Sequence, residues 1–369
     1  MNIYKPKGIH EMYIFGASSR ARTLKEYMSV LYPDTPIEAF LVDDSGENEE
    51  YLDGIQVCIL SEMQNIDKTV PVYIATRGVY HEKIKKVLQS RGMQCIIPVT
   101  VELDIKLRNE YLRKHFHEHG RAWVTIDDIC ADDEGITENN KTAGIYVAHS
   151  IYDKPLQSKY ELTKDERLIQ VGAALTKERI SEGVLTDCEG DNISSKNRQY
   201  CELTGIYWIW KHAAEDYLGL AHYRRHFLLP SDWVKRMEQY GIDVILPVPL
   251  YVSPNLEDNF KSRHIADDWD FMMMYFKEKM PDKYERIKEI LHGSLYSPCN
   301  MFVIRRDVLN DLCQWLFPIL NAVVEHGGEK EDAYMNRYPG FISERLITLF
   351  FELNREKYKV VYANKNFIN

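Results

Sequence analysis

With 369 residues the chain has room for two domains of ordinary size, and 45% hydrophobic against 28% charged residues describes a folded globular protein rather than a disordered one. A net charge of −10 argues against a general nucleic-acid binder, whose footprint is a basic face or stripe. The acidity is concentrated late: residues 1–118 hold 15 Lys and Arg against 17 Asp and Glu, leaving 31 against 39 in the remainder.

Met12 to Gly16 reads as a short apolar strand that runs into Ala17-Ser18-Ser19-Arg20 and then a helix with Leu24, Tyr27, Met28 and Leu31 on one face. Ile37 to Val42 is a second strand ending in Asp43-Asp44, and Val70 to Ala75 a third. A helix with Ile84, Val87 and Leu88 and a strand from Cys95 to Pro98 follow. This alternation predicts a small parallel, Rossmann-like α/β unit over 1–118. Its glycine signal is incomplete, because Gly16-Ala17-Ser18-Ser19-Arg20 lacks the full G-x-G-x-x-G, although Asp43-Asp44 stands near the distance of a ribose-binding acid. The unit is similar to the N-terminal domain of sugar-modifying acyltransferases as much as to a dehydrogenase. A scaffold or docking role is the expectation, with NAD binding the alternative.

Glu102 to His119 reads as a charged connecting helix, on which His115 and His119 share a face without a third ligand for a metal. The second domain is expected over 119–369. Strands are predicted at Gly144–His149, Leu168–Gly172, Tyr217–Ala221, Ile242–Pro247, Met301–Ile304 and Lys359–Ala363. Helices are predicted at 191–211, Ala266–Tyr275, Lys283–Leu291, Val308–Val324 and Ile342–Leu353, the first with an N-cap chosen from Asn192, Ser194, Ser195 and Asn197.

The densest signal is 191–227, DNISSKNRQYCELTGIYWIWKHAAEDYLGLAHYRRHF, where a strand end delivers His222, Tyr223, Arg224, Arg225 and His226 in succession. Guanidiniums there suit an anionic ligand held bidentately; the competing reading is a basic strand end paired with Glu215 and Asp216. Asp191, Asn192 and Asn197 offer hydrogen bonds to hydroxyl groups, or else simply cap the helix. His149, Ser150 and Tyr152 follow the first strand of this domain, where a base could rest and a turn explains them equally well.

The motifs Asp191-Asn192-Ile193-Ser194, Lys196-Asn197, Cys201-Glu202-Leu203-Thr204, Tyr207-Trp208-Ile209-Trp210-Lys211, His222-Tyr223-Arg224-Arg225, Asn300-Met301-Phe302 and Glu344-Arg345-Leu346 resemble a polysaccharide-biosynthesis glycosyltransferase family. Its members belong to capsular and exopolysaccharide gene clusters, and its domain was formerly of unknown function. The likeness runs from about Gly144 to near the C-terminus. It implies a GT-A-like domain that passes a hexosyl unit from a nucleotide diphosphate sugar, UDP-linked by expectation, to a growing glycan or lipid-linked oligosaccharide. Some relatives are galactofuranosyltransferases, a hint about the donor.

Under that resemblance His149, Tyr152, Asp191, Asn192, Asn197, His222, Arg224, Arg225, Asn300 and Arg345 are expected on the donor. Glu344, ranked over Asp332, with Glu331 also considered, is expected as general base. No Asp-x-Asp pair stands at the strand end, so arginines in place of a metal are expected on the diphosphate, with Mn or Mg the open alternative. A non-catalytic nucleotide- or sugar-binding regulator is the rival function. Seven scattered cysteines without a C-x-x-C pair, and no run near the ~20 apolar residues of a membrane span, place the expectation in the cytoplasm. A lipid-linked acceptor would bring the protein to the inner membrane face through a patch or a partner.

Overall fold

A computed structural model describes residues 10–43, 46, 48–64, 66–131 and 141–368. The chain divides into two compact units, Met1–Trp123 and Val124–Asn369. Both are α/β with parallel-rich sheets, the fold class expected.

In the first unit, β1 (Met12–Phe15), α1 (Ser19–Leu31), β2 (Ile37–Val42), β3 (Tyr51–Leu52), β4 (Ile55–Ile59), β5 (Val72–Ile74), α2 (His81–Ser90), β6 (Ile96–Pro98) and α3 (Val101–Glu118) follow in order. The sheet order is β3-β4-β2-β1-β5-β6, with only β3 antiparallel to its neighbour. Tyr13, Phe15, Leu41, Val72 and Ile74 pack with Ile84 and Leu88 of α2 on one face. On the other, α1 lies on β1 and β2 and packs against α3, with Tyr27 and Tyr111 rings 5.0 Å apart. Burial on both faces explains why these strands read as continuous apolar runs.

Gly16 closes β1 at φ +120, where a Cβ would sit 3.2 Å from the Ala75 carbonyl oxygen, so the tight turn needs glycine. Asp43 is exposed beyond β2, and Asp44 lies outside the described residues. His115 and His119 meet at 4.3 Å between ring centroids on the last turns of α3. Among the described residues no group of three or more His, Cys, Asp or Glu is placed to hold a metal ion.

The second unit holds β7 (Ala143–His149), β8 (Glu166–Gln170), β9 (Leu185–Thr186), α4 (Asn197–Tyr200), α5 (Leu203–His212), β10 (Tyr217–His222), α6 (Trp233–Gln239), β11 (Val244–Pro247), β12 (Leu250–Tyr251) and α7 (Leu256–Lys261). They are followed by α8 (Ala266–Lys279), α9 (Tyr284–Leu291), β13 (Leu295–Tyr296), β14 (Phe302–Arg305), α10 (Arg306–Gly327), α11 (Tyr338–Leu353) and β15 (Val360–Ala363). The main sheet runs β15-β11-β14-β10-β7-β8-β9, and β14 alone is antiparallel to its neighbours. Alternate residues Ile145, Val147, Tyr217, Ala221, Ile245, Val303 and Val361 pack against Trp233 and Met237 of α6. Helices α5 and α10 cover the opposite face.

The chain goes from β7 outward to β8 and β9, then returns to place β10 on the other side of β7. That reversal opens a crevice beyond the carboxyl ends of β7 and β10, the position where open α/β sheets bind ligands. No helix among the described residues is long and apolar enough to cross a membrane.

At the opposite end of β10, Asp216 accepts hydrogen bonds from Lys141 Nζ (3.0 Å), Thr142 N–H (3.0 Å) and Thr142 Oγ1 (2.9 Å). The Thr142 backbone bond first, then Lys141, hold its carboxyl down at about 2. A depressed carboxyl adds stability that is complete above its unfolded value and is lost as pH falls through the folded one. Asp216→Asn is therefore expected to flatten the fall of Tm with pH between about pH 4 and pH 2, followed by differential scanning fluorimetry. Identical slopes in the two proteins would show that this carboxylate adds nothing.

Candidate active site

A cleft of about 510 Å³ opens at the carboxyl ends of β7, β8 and β10. Ser150, Tyr152 and Asp153 reach it from the loop after β7, Val171 and Leu175 from beyond β8, and His222, Tyr223 and Arg225 from the end of β10. Asn197, Arg198, Cys201 and Glu202 enter from the α4–α5 segment, Cys299 from the turn before β14, and Arg337, Phe341 and Glu344 from around α11.

The helix expected over 191–211 is not continuous. A 3-10 turn at Ser194–Lys196 leads into α4, and the chain then breaks at Cys201, a non-glycine residue at φ +51, before α5 begins. The break rotates Cys201 and Glu202 into the cleft. Its anchor is the fully buried Asp187, which accepts Gly172 N–H at 2.9 Å, Ala173 N–H at 3.1 Å and Thr204 Oγ1 at 2.6 Å, together with Ser194 Oγ. Asn197 donates to the Cys201 carbonyl (2.7 Å) and to Thr204 Oγ1 (2.9 Å). Its side chain lies over Gly172 at φ +68, where a Cβ would come within 2.6 Å of Asn197 Oδ1.

Two further left-handed residues, Cys299 (φ 74) and Asn300 (φ 50), shape the opposite wall. Buried Asn300 donates to Glu202 Oε1 at 2.8 Å and to the Gly340 carbonyl at 3.0 Å, and accepts Ser343 Oγ. Cys299 N–H donates to Glu344 Oε1 at 2.6 Å, while Arg345 Nη1 donates to Glu344 Oε2 at 2.8 Å. Glu344 is the seventh residue of α11, not part of the first turn expected from the sequence, so the helix N-terminus does not hold its charge. Burial pushes its carboxyl up and Glu202 adds to this, against the pull of Arg345 and the Cys299 N–H. Asp153, which accepts Ser150 N–H at 2.7 Å, is also raised, chiefly by burial.

His222 bonds the Cys299 carbonyl through Nε2 at 2.6 Å. Since a carbonyl only accepts, Nε2 carries the proton and Nδ1 is the acceptor. Burial lowers the ring's pKa, which keeps it neutral near pH 7. His149 stacks on Tyr223 at 4.8 Å with the rings 2° from parallel, and burial depresses it too.

Of the residues expected on donor or acceptor, Tyr152, Asn197, His222, Arg225 and Glu344 line the cleft. Asn300 braces its wall, and His149 lies behind Tyr223. The others have different work. Asp191 Oδ1 accepts from Tyr207, and its carbonyl bonds the His212 ring, tying down the end of α5. Asn192 folds back on the Cys188 and Gly190 carbonyls, and Arg224 Nη2 donates to the Lys154 and Pro155 carbonyls at 3.1 and 3.2 Å. The buried Arg345 side chain is a partner of Glu344, with its guanidinium 4.3 Å from the Tyr296 ring centre. Exposed Asp332 receives the N–H groups of Tyr334 and Met335 in a surface turn. Glu331 is exposed as well.

Sequence reasoning passed over Asp153, Arg198, Glu202, Arg337 and the hub Asp187. Glu202 stood within a quoted motif, but its direction depends on the Cys201 break. Arg337 and Arg198 sit among other charged residues, without a local pattern to single them out.

Residues 145–355 match the family model described as a domain of unknown function, DUF4422. The chain belongs to this family. The DUF4422 match runs from β7 to just past α11 and takes in every residue lining the cleft, while the first unit lies outside it. A solved structure described as the apo form of the bifunctional glycosyltransferase WbbM is 28% identical, with a TM-score of 0.53, and the similarity covers 62% of this chain. It covers 45% of the WbbM chain, so this DUF4422 protein spans less than half of that one. No curated protein matches.

Proposed function

We propose that this DUF4422 protein is a glycosyltransferase that moves a hexosyl unit from a nucleoside diphosphate sugar to a glycan or lipid-linked oligosaccharide. The observation that carries the reading is a cleft at the sheet's reversal point that joins arginines to a partly buried carboxylate with a raised pKa. The similarity to a bifunctional glycosyltransferase supports the same class.

In this reading the donor lies across the ends of β7 and β10 in a GT-A-like manner, its diphosphate toward Arg225, as expected for an anion at a strand end. Exposed Tyr152 offers a ring for the base, UDP being the first nucleotide to try. Glu344 takes the proton of the acceptor hydroxyl as the C–O bond to the sugar forms, and the nucleoside diphosphate leaves with the electrons of the broken bond. Cys299 N–H and Arg345 hold that carboxylate in place, and Asn300 braces the start of α11 through the Gly340 carbonyl. A galactofuranosyl donor and a capsular or exopolysaccharide product remain within this proposal. The site would work at the cytoplasmic membrane face when the acceptor is lipid-linked.

The deciding experiment incubates the full chain with a panel of UDP-, GDP- and dTDP-sugars and measures nucleoside diphosphate release. Slow release from one donor is expected from the transferase; binding without release from any donor would leave a nucleotide- or sugar-binding regulator. Activity abolished by a chelator and restored by manganese would replace the arginine-only account of the diphosphate with a metal. The first unit is assigned a scaffold or docking role, and tight NAD binding by the full chain, read from NADH fluorescence, would overturn that assignment.

A further inference from the structure

Several arginines of this acidic protein pair with carboxylates. Arg167 pairs with Glu215 at 2.7 Å, Arg236 with Asp232 at 2.9 Å and Arg286 with Glu289 at 2.6 Å. Three arginines of the cleft, Arg198, Arg225 and Arg337, form no direct ion pair among the described residues, although Asp153, Glu202 and Glu344 share the cleft with them and the charges of Asp153 and Glu202 act on Arg337 through space. Those carboxylates are engaged elsewhere: Glu344 by Cys299 N–H and Arg345, Glu202 by Asn300, Asp153 by Ser150 N–H.

Arg337 is also the oriented member. Its Nε donates to Cys201 Sγ at 3.0 Å, and its guanidinium carbon lies 5.7 Å from the Phe341 ring centre. These two contacts hold the guanidinium from one edge and one face. No acceptor among the described residues takes either of its Nη groups, which leaves the fork that matches two phosphate oxygens. The Cys201 thiol suits the task because burial pushes its pKa up to about 12, so it stays neutral and does not neutralise the arginine. Arg225 lies over the Phe367 ring at 5.3 Å, and among the described residues no acceptor takes its guanidinium either.

We infer that Arg198, Arg225 and Arg337, approaching from three separate chain segments, together receive the donor diphosphate, and that Arg224 acts only by pinning the 154–155 loop. This rests on the transferase reading above and adds to it the residues that hold the leaving group. In the transfer step the charge gathering on the departing diphosphate is met by these guanidiniums, of which Arg337 is held in place before the donor arrives.

The test is isothermal titration calorimetry on the full chain with UDP, GDP, dTDP and inorganic pyrophosphate. Arg337→Gln, Arg198→Gln and Arg225→Gln are each expected to weaken the diphosphate that wild type binds by about tenfold or more. Arg337→Lys should fall between wild type and Arg337→Gln, since a lysine keeps the charge and loses the fork. Arg286→Gln on the distant surface controls for the loss of one positive charge and should bind as wild type does. Far-UV circular dichroism and Tm establish that each variant is folded, and Arg337→Lys carries the test if Arg337→Gln is not. Wild-type affinity in folded Arg337 and Arg198 variants would overturn this inference and leave the transferase reading standing. Weakened binding without sugar release from any donor would do the reverse, and a wild-type chain that binds none of the four would sink both.

Discussion

Glu344→Gln is expected to lower turnover by about 10²–10⁴-fold, the usual worth of a general base, while nucleoside diphosphate affinity stays close to wild type. Glutamine keeps the size of the side chain and an oxygen for the Cys299 N–H, now at 2.6 Å from Oε1, but it cannot take a proton. The substitution also removes the charge opposite Arg345, which is only 4% exposed, so Tm must be measured alongside turnover.

Asp332→Asn is the comparison. Its carboxylate accepts two backbone N–H groups in an exposed turn, a role an amide oxygen can fill, so near-normal turnover is expected there. The pH profile adds an independent reading. Burial raises the Glu344 carboxyl, so the base is lost by protonation as pH falls through a value above the ordinary carboxylate range. The wild-type profile should show that acid limb, and Glu344→Gln should lack it in its residual activity. Normal turnover in Glu344→Gln beside collapse in Asp332→Asn would move the base to Asp332, and a product that retains the donor's anomeric configuration would remove the single-base mechanism altogether.

The largest loss of stability is expected at Asp187. Asp187→Ala leaves the N–H groups of Gly172 and Ala173 and the hydroxyls of Ser194 and Thr204 without their common acceptor, in a place water does not reach. Buried donors stripped of a partner typically cost ~1–3 kcal/mol each, less where a hydroxyl can turn to another acceptor, so a combined ~3–5 kcal/mol is expected. For a unit of this size that is a fall in Tm of roughly 10 °C. Ser194→Ala and Thr204→Val each remove one spoke and should cost far less. Because the hub sets the Cys201 break, a folded Asp187→Asn should bind diphosphate more weakly even though Asp187 lines no part of the cleft. A loss below about 1 kcal/mol in Asp187→Ala would show that the loop is held by other means.

Element type and order were legible in the chain because each depends on nearby residues. The strands at Ile37–Val42, Ala143–His149 and Tyr217–His222 are apolar runs buried on both faces, and α1, α2 and α9 carry apolar residues at helical spacing. The two-residue strand Tyr51–Leu52 and its partner Ile55–Ile59 were not, since β3 is too short to show a period and most of β4 is only half buried. The uniform helical spacing from Tyr200 to Trp210 likewise hid a break, because Cys201 bends the chain under a restraint from Asp187, more than ten residues away.

Local sequence therefore settled that the chain is α/β, that a basic cluster ends the strand at His222, and that a polar segment precedes α5. It could not settle which of these side chains share a cleft. Arg224 and Arg225 are neighbours in sequence, yet one grips the Lys154 and Pro155 carbonyls and the other faces the cleft, because His222 and Arg225 pair across a tight turn after β10. Arg337 and Cys201 are 136 positions apart and meet at 3.0 Å. Periodicity records which face of its own element a residue occupies; which elements converge depends on strand order, and here the crossing from β9 back to β10 beside β7 is what gathers the site.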